Sequence, residues 1–246
     1  MWRDKTVSVI FPTYNEKDSI RAAIEGFLAS GYVDEVLVVN NNAAAGTSEE
    51  VARTSAREVH EGAQGYGHAC MRGLREASGD ILILSEPDGT FSGHDVLKLL
   101  AYLDDFELVV GTRTSRAMIL AGANMGFFLK WGNVLVAKMT EVLFATPVLT
   151  DMGCTMRGIH RAAYDRIRER LVIGGSQFGP HMLLEARLAG VKFMEIPVTY
   201  NKRVGESMVT GNLWKAIVLG LQMIAMVWRY RIQCWVGLRR VEDPKD

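Results

Sequence analysis

Cysteine is scarce in this chain. Its three residues, Cys70, Cys154 and Cys234, are scattered and odd in number, with no CxxC spacing. That usage argues for a reducing, cytosolic setting and against a thiolate metal site. The five histidines are equally dispersed, which speaks against a zinc centre. Neither sign of charge is in surplus: Lys plus Arg and Asp plus Glu are 28 each, so no global field points to nucleic acid. Met1-Trp2-Arg3-Asp4-Lys5 does not read as a secretory leader, and there is no internal repeat or low-complexity segment. Two nucleotide signatures also fail. Gly65-Tyr66-Gly67-His68-Ala69-Cys70 lacks the third glycine of GxGxxG and follows the third strand-like run, not the first. No Gly-Lys-Ser/Thr closes any glycine loop, which excludes a Walker-type phosphate cradle.

What is present is an alternation of short apolar runs and helical patterns. With 246 residues, 48% of them hydrophobic and 23% charged, the chain is long enough to bury a sizeable core. Val7–Phe11 reads as a strand ended by Pro12-Thr13-Tyr14-Asn15-Glu16, and Ile20, Ile24, Phe27 and Leu28 form one helical stripe after it. Glu35–Val39 reads as a second strand running into Asn40-Asn41-Asn42. A helix near Ser48–Ser55, a weak strand near Glu58–His60 and a helix carrying Ala69, Met71 and Leu74 follow. Ile81–Leu84, a helix near His94–Leu103 and Leu108–Gly111 complete the pattern. The alternation predicts βαβ units and an α/β fold on a mostly parallel sheet.

The chemistry concentrates after Ile81-Leu82-Ile83-Leu84. Four apolar residues with no polar face suit a strand covered on both sides. The run stops at Glu86 and Asp88, held apart by Pro87 and followed by Gly89. Ligands of open α/β sheets collect at the carboxyl ends of the strands. Two carboxylates one residue apart can share a hard divalent cation that itself grips phosphate oxygens. A surface turn is the competing reading, because Pro, Asp and Gly are turn residues.

Taken together, Val9–Glu16 (ending in PTYNE), Val38–Thr47, Gln64–Gly73, Glu86–Phe91 (EPDGTF), Gly111–Arg113 (GTR), Asp151–Arg157 and Arg203–Ser207 (RVGES) occur in an order that resembles family 2 glycosyltransferases of the GT-A fold. The resemblance is to the dolichol-phosphate-mannose-synthase-like branch. It implies a nucleotide-sugar donor, UDP- or GDP-linked, bound by Pro12, Tyr14, Asn15, Glu16, Asn40, Gln64, Gly65 and Glu86. It also implies Mg2+ or Mn2+ on Glu86 and Asp88, and transfer to a polyprenyl or dolichyl phosphate with inversion. Asp88, Asp151, Arg113 and Arg203 are then the expected catalytic residues. Two departures stand out. Asn40 and Asn41 occupy positions where family members commonly have aspartates, and Met208 stands where they often have Lys. An amide can still hydrogen-bond a base or ribose, but these changes also leave open a degenerate nucleotide-sugar-binding protein.

Beyond Thr112 the composition changes. Ala117–Ala121 and Phe127-Phe128-Leu129 are apolar, with Arg113, Arg116, Lys130 and Trp131 around them. A greasy face edged by cations suits a lipid phosphate. Arg116 reads as the solvated rim of a core helix, whereas the resemblance implies that Arg113, Lys130 and Arg157 meet the acceptor phosphate. Asp151 could orient the acceptor or act as a base; a buried Asp151–Arg157 structural pair is the alternative. His181 reads as a surface residue at a helix start, with no role.

In the tail, Gln222 is the single strongly polar residue between Ala216 and Trp228, a run short of the roughly twenty residues of a spanning helix. Trp214, Trp228, Tyr230 and Trp235 with Lys215, Arg229, Arg231, Arg239 and Arg240 at its borders suit a helix lying in a membrane interface. A helix packed on the domain, or a dimer contact, is the alternative. The expected organisation is a catalytic domain over 1–210, with a nucleotide-sugar half at 1–111 and an acceptor half at 112–210, then an interfacial helix and tail at 211–246. The expected location is the cytoplasmic face of a membrane, as a peripheral protein. The rival enzyme reading is transfer to a saccharide or small-molecule hydroxyl, with Asp151 as base.

Overall fold

The computed structural model describes residues 1–120, 123, 127–205 and 213–243, with the backbone alone at 127–129 and 213. Seven strands form one sheet in the order β3-β2-β1-β4-β6-β5-β7. They are β1 (Val7–Thr13), β2 (Glu35–Asn40), β3 (Arg57–His60), β4 (Ile81–Leu84), β5 (Leu108–Thr112), β6 (Arg157–His160) and β7 (Phe193–Pro197). The helices are α1 (Lys17–Leu28), α2 (Thr47–Val51), α3 (Tyr66–Glu76), α4 (Asp95–Leu103), α5 (Phe127–Phe144), α6 (Arg161–Ile167), α7 (Phe178–Leu188) and α8 (Leu213–Trp235). The sheet is sandwiched. One apolar layer joins Ile10, Leu37, Leu82 and Leu84 to α3, α7 and the inner face of α8. The other joins Val9, Phe11, Val38 and Ile83 to α1 and α4. Residues i and i+1 of one strand thus serve opposite layers, which is why these strands read as unbroken apolar runs.

The sheet is mostly parallel, as the alternation predicts, and β6 is the exception. It runs antiparallel to both β4 and β5, with Ile83 opposite Gly158 and Val109 opposite Gly158 on its two sides. The sequence pattern did not expose this strand, since Ile159 is its single large apolar residue. Gly158 lets α4 lie close on this strand, since a Cβ there would stand 3.0 Å from Leu103 Cδ1.

Pro12 does not end β1. It lies inside the strand opposite Val39 on the β2 side, while the pairing with β4 stops at Ile10. A missing N–H is harmless there because no β4 carbonyl faces it.

His181 is not a surface residue. It is 0% exposed on α7, accepts a hydrogen bond from Val172 N at Nε2 (3.1 Å), and meets the Tyr230 hydroxyl at Nδ1 (2.7 Å). The same hydroxyl donates to Glu185 at 2.5 Å, and Arg239 donates to that Glu185 oxygen at 2.6 Å. Burial pushes His181 below its ordinary pKa, against the pull of Glu185. The cluster is a polar tie that docks α8 on α7.

The strand order turns outward in both directions from the β1/β4 pair, which opens the crevice that receives ligands in such sheets. The carboxyl end of β1 delivers Tyr14–Glu16 to one side of it, and β4 delivers Glu86–Asp88 to the other.

Candidate active site

The β1 turn is shaped by Glu16. One carboxylate oxygen accepts from Thr13 Oγ1 (3.0 Å), Tyr14 N (2.7 Å) and Asn15 N (2.9 Å), folding the side chain back under the turn. Tyr14 is left exposed at the crevice. The next turn is built by asparagines. Asn41, 3% exposed, donates to the carbonyls of Glu61 and Ala63 (both 2.8 Å) and accepts from Gly65 N (2.8 Å) and Gln64 Nε2 (3.1 Å). Asn40 donates to Glu58 (2.8 Å) and Ser48 (3.1 Å) and accepts from Ala43 N (2.8 Å). Both amides are therefore committed to holding the loops at the carboxyl end of β2. Gly65 is glycine for a geometric reason: its φ is +146°, and a Cβ there would lie 2.3 Å from the Gly174 carbonyl oxygen.

Asp88 is 0% exposed. Its Oδ1 accepts from Thr90 N (2.9 Å) and Thr90 Oγ1 (2.5 Å), which fixes the carboxylate and leaves Oδ2 facing Arg203. Oδ2 is buried without a hydrogen-bond donor, and its neighbour is Arg203 Nη2 at 2.6 Å. The same nitrogen donates to Glu86 Oε2 at 2.9 Å. Burial, followed by the charge of Asp88, pushes the Glu86 carboxyl upward, and Arg203 opposes the shift. Two backbone bonds strap the Arg203 segment over this loop: Asn201 N to Thr90 O (2.9 Å) and Val204 N to Asp88 O (2.8 Å).

On the far side, Arg113 follows β5 and meets Asp151 in a two-pronged pair. The ring of Tyr200 lies 5.4 Å below the guanidinium. Asp151 is in turn held by Glu195 on β7, which accepts from the backbone N–H groups of Thr150 and Asp151. Burial raises the Asp151 pKa, but the adjacent guanidinium and its hydrogen bonds outweigh it and hold the carboxyl below its ordinary range. Lys130 Nζ donates to the Thr114 carbonyl (3.3 Å), one residue beyond Arg113. Arg157 is 4% exposed and donates to the carbonyls of Gly179 (2.7 Å) and Cys154. Asp151 thus pairs with Arg113 and not with Arg157, and a phosphate would reach Arg157 only by displacing those carbonyls. Glu195, Tyr200 and Thr90 escaped sequence reasoning. Thr90 alone carried a local signal, as the hydroxyl two residues after Asp88 that closes its turn.

The sequence pattern of the glycosyl transferase family 2 domain matches residues 8–168, spanning both the β1 and β4 loops and the Arg113–Asp151 pair. The chain belongs to glycosyltransferase family 2. An uncharacterized glycosyltransferase of Mycobacterium tuberculosis is 31% identical over 214 residues, 86% of this chain and 93% of the relative. A dolichol-phosphate mannosyltransferase of Pyrococcus furiosus is 27% identical over 250 residues, covering 94% of this chain and 64% of that protein. Among solved structures, glucosyl-3-phosphoglycerate synthase of M. tuberculosis, crystallised with Mn2+, UDP and phosphoglyceric acid, superposes with a TM-score of 0.68 at 18% identity, over 93% of this chain and 79% of that one. The fold is GT-A.

The Glu86/Asp88 pair fits a divalent cation by its chemistry. Asp88 Oδ2 is a buried, undonated carboxylate oxygen, and Glu86 Oε2 approaches the same point, so two hard oxygens converge on one positive group. Among the described residues no group of three or more His, Cys, Asp and Glu could hold a metal. A cation here would complete its shell from water and a diphosphate, a pattern common for Mg2+.

The tail forms α8, and among the described residues no helix is long and apolar enough to cross a membrane. Met223, Met226, Val227 and Tyr230 face inward, whereas Ile217, Val218, Leu221, Trp228, Ile232 and Trp235 are exposed. Met208, Glu206 and Ser207 lie outside the described residues, as do Ala121 and the side chains of Phe127, Phe128 and Leu129.

Proposed function

We propose that this glycosyltransferase moves a sugar from a UDP- or GDP-sugar to a polyprenyl or dolichyl phosphate, using Mg2+ or Mn2+ held by Glu86 and Asp88. The observation that carries the reading is the convergence of Glu86, Asp88 and Arg203 at the crevice between β1 and β4. The structural neighbour crystallised with Mn2+ and UDP, and the relative named as a dolichol-phosphate mannosyltransferase, support it. The base and ribose would lie against Pro12, Tyr14 and Asn15, with Glu16 bracing the turn and Asn40, Gln64 and Gly65 forming the opposite rim. Bound there, the cation would supply electrostatic stabilisation of the leaving diphosphate.

The acceptor half is organised for an anion. Arg113 commits Nε and Nη2 to Asp151, which leaves Nη1 to meet a phosphate, with Lys130 near its backbone. A phosphate nucleophile is already anionic near neutral pH and needs no proton removed. That suits Asp151, whose lowered pKa makes it a weak base but a firm brace for Arg113. The outward apolar face of α8, with exposed Arg229 and Lys215 beside it, would lie on the anionic membrane surface from which a lipid phosphate is drawn.

A hydroxyl acceptor is the second reading, supported by the structural neighbour's complex with phosphoglyceric acid. It would require Asp151 to remove a proton. The test is transfer of label from a panel of UDP- and GDP-sugars into an organic-extractable product, with polyprenyl phosphate, Mg2+ or Mn2+, and Asp88→Ala alongside. Label in the organic phase that vanishes in the variant is the expected outcome. Metal-dependent donor hydrolysis without lipid product would move the acceptor to a hydroxyl. Donor binding without any turnover would favour the degenerate binding protein.

A further inference from the structure

We propose that Arg203 is a resident counter-cation of the Glu86/Asp88 pair, displaced when a divalent cation enters, and that its release toward the diphosphate couples cation loading to nucleotide loading. The inference rests on the divalent-cation reading above. Its geometric basis is that one nitrogen, Nη2, sits 2.9 Å from Glu86 Oε2 and 2.6 Å from Asp88 Oδ2, where a shared cation would neutralise both carboxylates. Asp88 Oδ2 is buried with no hydrogen-bond donor, so the guanidinium is its compensating charge. A divalent cation and the guanidinium cannot both occupy that point, because each needs the same two oxygens and they repel one another.

The movement required is a side-chain swing, not the opening of a lid. Asn201 N to Thr90 O and Val204 N to Asp88 O hold the backbone on both sides of Arg203 against the 88–90 loop. The side chain is 28% exposed, so it can leave the carboxylates along the crevice without unpacking the core. A cation arriving alone must turn the guanidinium out into water. A cation arriving with a nucleoside diphosphate offers it a phosphate in exchange for a carboxylate. The second case is less costly, and the difference is a coupling free energy between the two ligands.

The experiment is titration of Mn2+, followed by loss of the free-ion electron paramagnetic resonance signal, on the full chain with and without UDP or GDP. Wild type is compared with Arg203→Gln, Arg203→Lys and Asp88→Asn. Arg203→Gln is expected to bind Mn2+ alone more tightly than wild type, by a factor in the range of roughly 5- to 150-fold typical of coupled sites. The extra tightening that nucleotide gives wild type should shrink in that variant. Arg203→Lys, which keeps a charge but loses the planar fork, should fall between them, and it preserves the test if the glutamine variant folds poorly. Equal or weaker Mn2+ binding by both Arg203 variants, with binding abolished by Asp88→Asn, overturns the counter-cation role and leaves the cation site standing. Mn2+ binding unaffected by Asp88→Asn, or absent from every protein with and without nucleotide, removes the cation reading and this inference with it.

Discussion

Arg113 and Asp151, 38 residues apart in the chain, are locked in a two-pronged ion pair: Nε to Oδ2 at 2.8 Å and Nη2 to Oδ1 at 2.9 Å, with Arg113 N adding a third bond to Oδ2 at 3.0 Å. The Asp151 side chain is 0% exposed and that of Arg113 is 13% exposed. Pairs this buried are costly to break from one side, because the remaining charge has lost its solvent without gaining a partner. The pair also fixes the direction in which the remaining guanidinium nitrogen can point. Position and stability are therefore coupled at this ion pair.

Asp151→Asn should lower stability by about 3–5 kcal/mol, read from the urea midpoint. Transfer should fall chiefly through a raised KM for the acceptor, as Arg113 loses its brace. The pH profile of the remaining kcat should keep its shape. A variant of near-native stability and acceptor KM with kcat abolished would instead make Asp151 the base of a hydroxyl-accepting enzyme.

Asn41→Asp installs the acid that the family resemblance leads one to expect at this position, and it should nonetheless destabilise this protein. The amide nitrogen donates to the carbonyls of Glu61 and Ala63, and a carboxylate would present oxygen to both. Loss of these buried donors should cost about 1–3 kcal/mol in chemical denaturation. Donor affinity should fall as well, because the loop that loses its anchors at Glu61 and Ala63 carries Gln64 and Gly65. Unchanged stability would mean that the asparagine does not organise the 61–65 loop.

Ile81–Leu84 could be read as a strand because every side chain in it is apolar, and the sheet buries all four. The Glu86–Thr90 turn was legible for the same reason, as an acidic break at the end of such a strand. Arg157–His160 was not, because its polar ends are satisfied by distant carbonyls rather than by water: Arg157 by Gly179, and His160 by Leu103. Sequence proximity suggested Asp151 with Arg157, but β6 carries Arg157 into the sheet and leaves Asp151 facing Arg113, the residue just after β5. His181 looked like an exposed helix start beside Gly179 and Pro180. Its burial depends on Tyr230, 49 residues downstream on α8, which no local pattern announces. What the sequence hides here is which long-range partner satisfies a polar group.

The outer face of α8 gives a prediction that is independent of catalysis. Leu221 and Trp228 are exposed on it, 60% and 42%, two turns apart and away from the tie to α7. Leu221→Glu combined with Trp228→Glu should leave the melting temperature nearly unchanged. Sedimentation with vesicles containing anionic lipid should fall at least roughly tenfold, the scale set by withdrawing one large apolar side chain from a nonpolar environment. Unaltered sedimentation, or a protein that shifts from dimer to monomer, would assign the face to protein contacts.

Glu35 opens β2 and gathers five donors: Ser78 N (2.8 Å), Ser78 Oγ (2.8 Å), Ser8 Oγ (2.5 Å), Arg57 Nη2 (2.9 Å) and Arg57 Nε (3.1 Å). Burial alone would raise its pKa, but these bonds to the charged form outweigh it and bring the carboxyl down to about 2 from 4.5. A carboxylate with a folded pKa below its unfolded one stabilises the fold above the unfolded value. That stability is lost as pH falls from about 4.5 toward 2. At 1.36 kcal/mol per unit the full shift would be worth about 3 kcal/mol, and solvent screening of this partly exposed pair brings the expected contribution to about 2 kcal/mol. Glu35→Gln should therefore be less stable than wild type at pH 7, with the gap closing progressively below pH 4.5. Because Glu35 joins β1, β2 and β3 at the end of the sheet away from the crevice, the loss should appear in the unfolding midpoint while donor binding at pH 7 is retained. A constant gap between the two proteins from pH 7 to pH 2.5 would mean that Glu35 is not charged differently in the folded and unfolded chains.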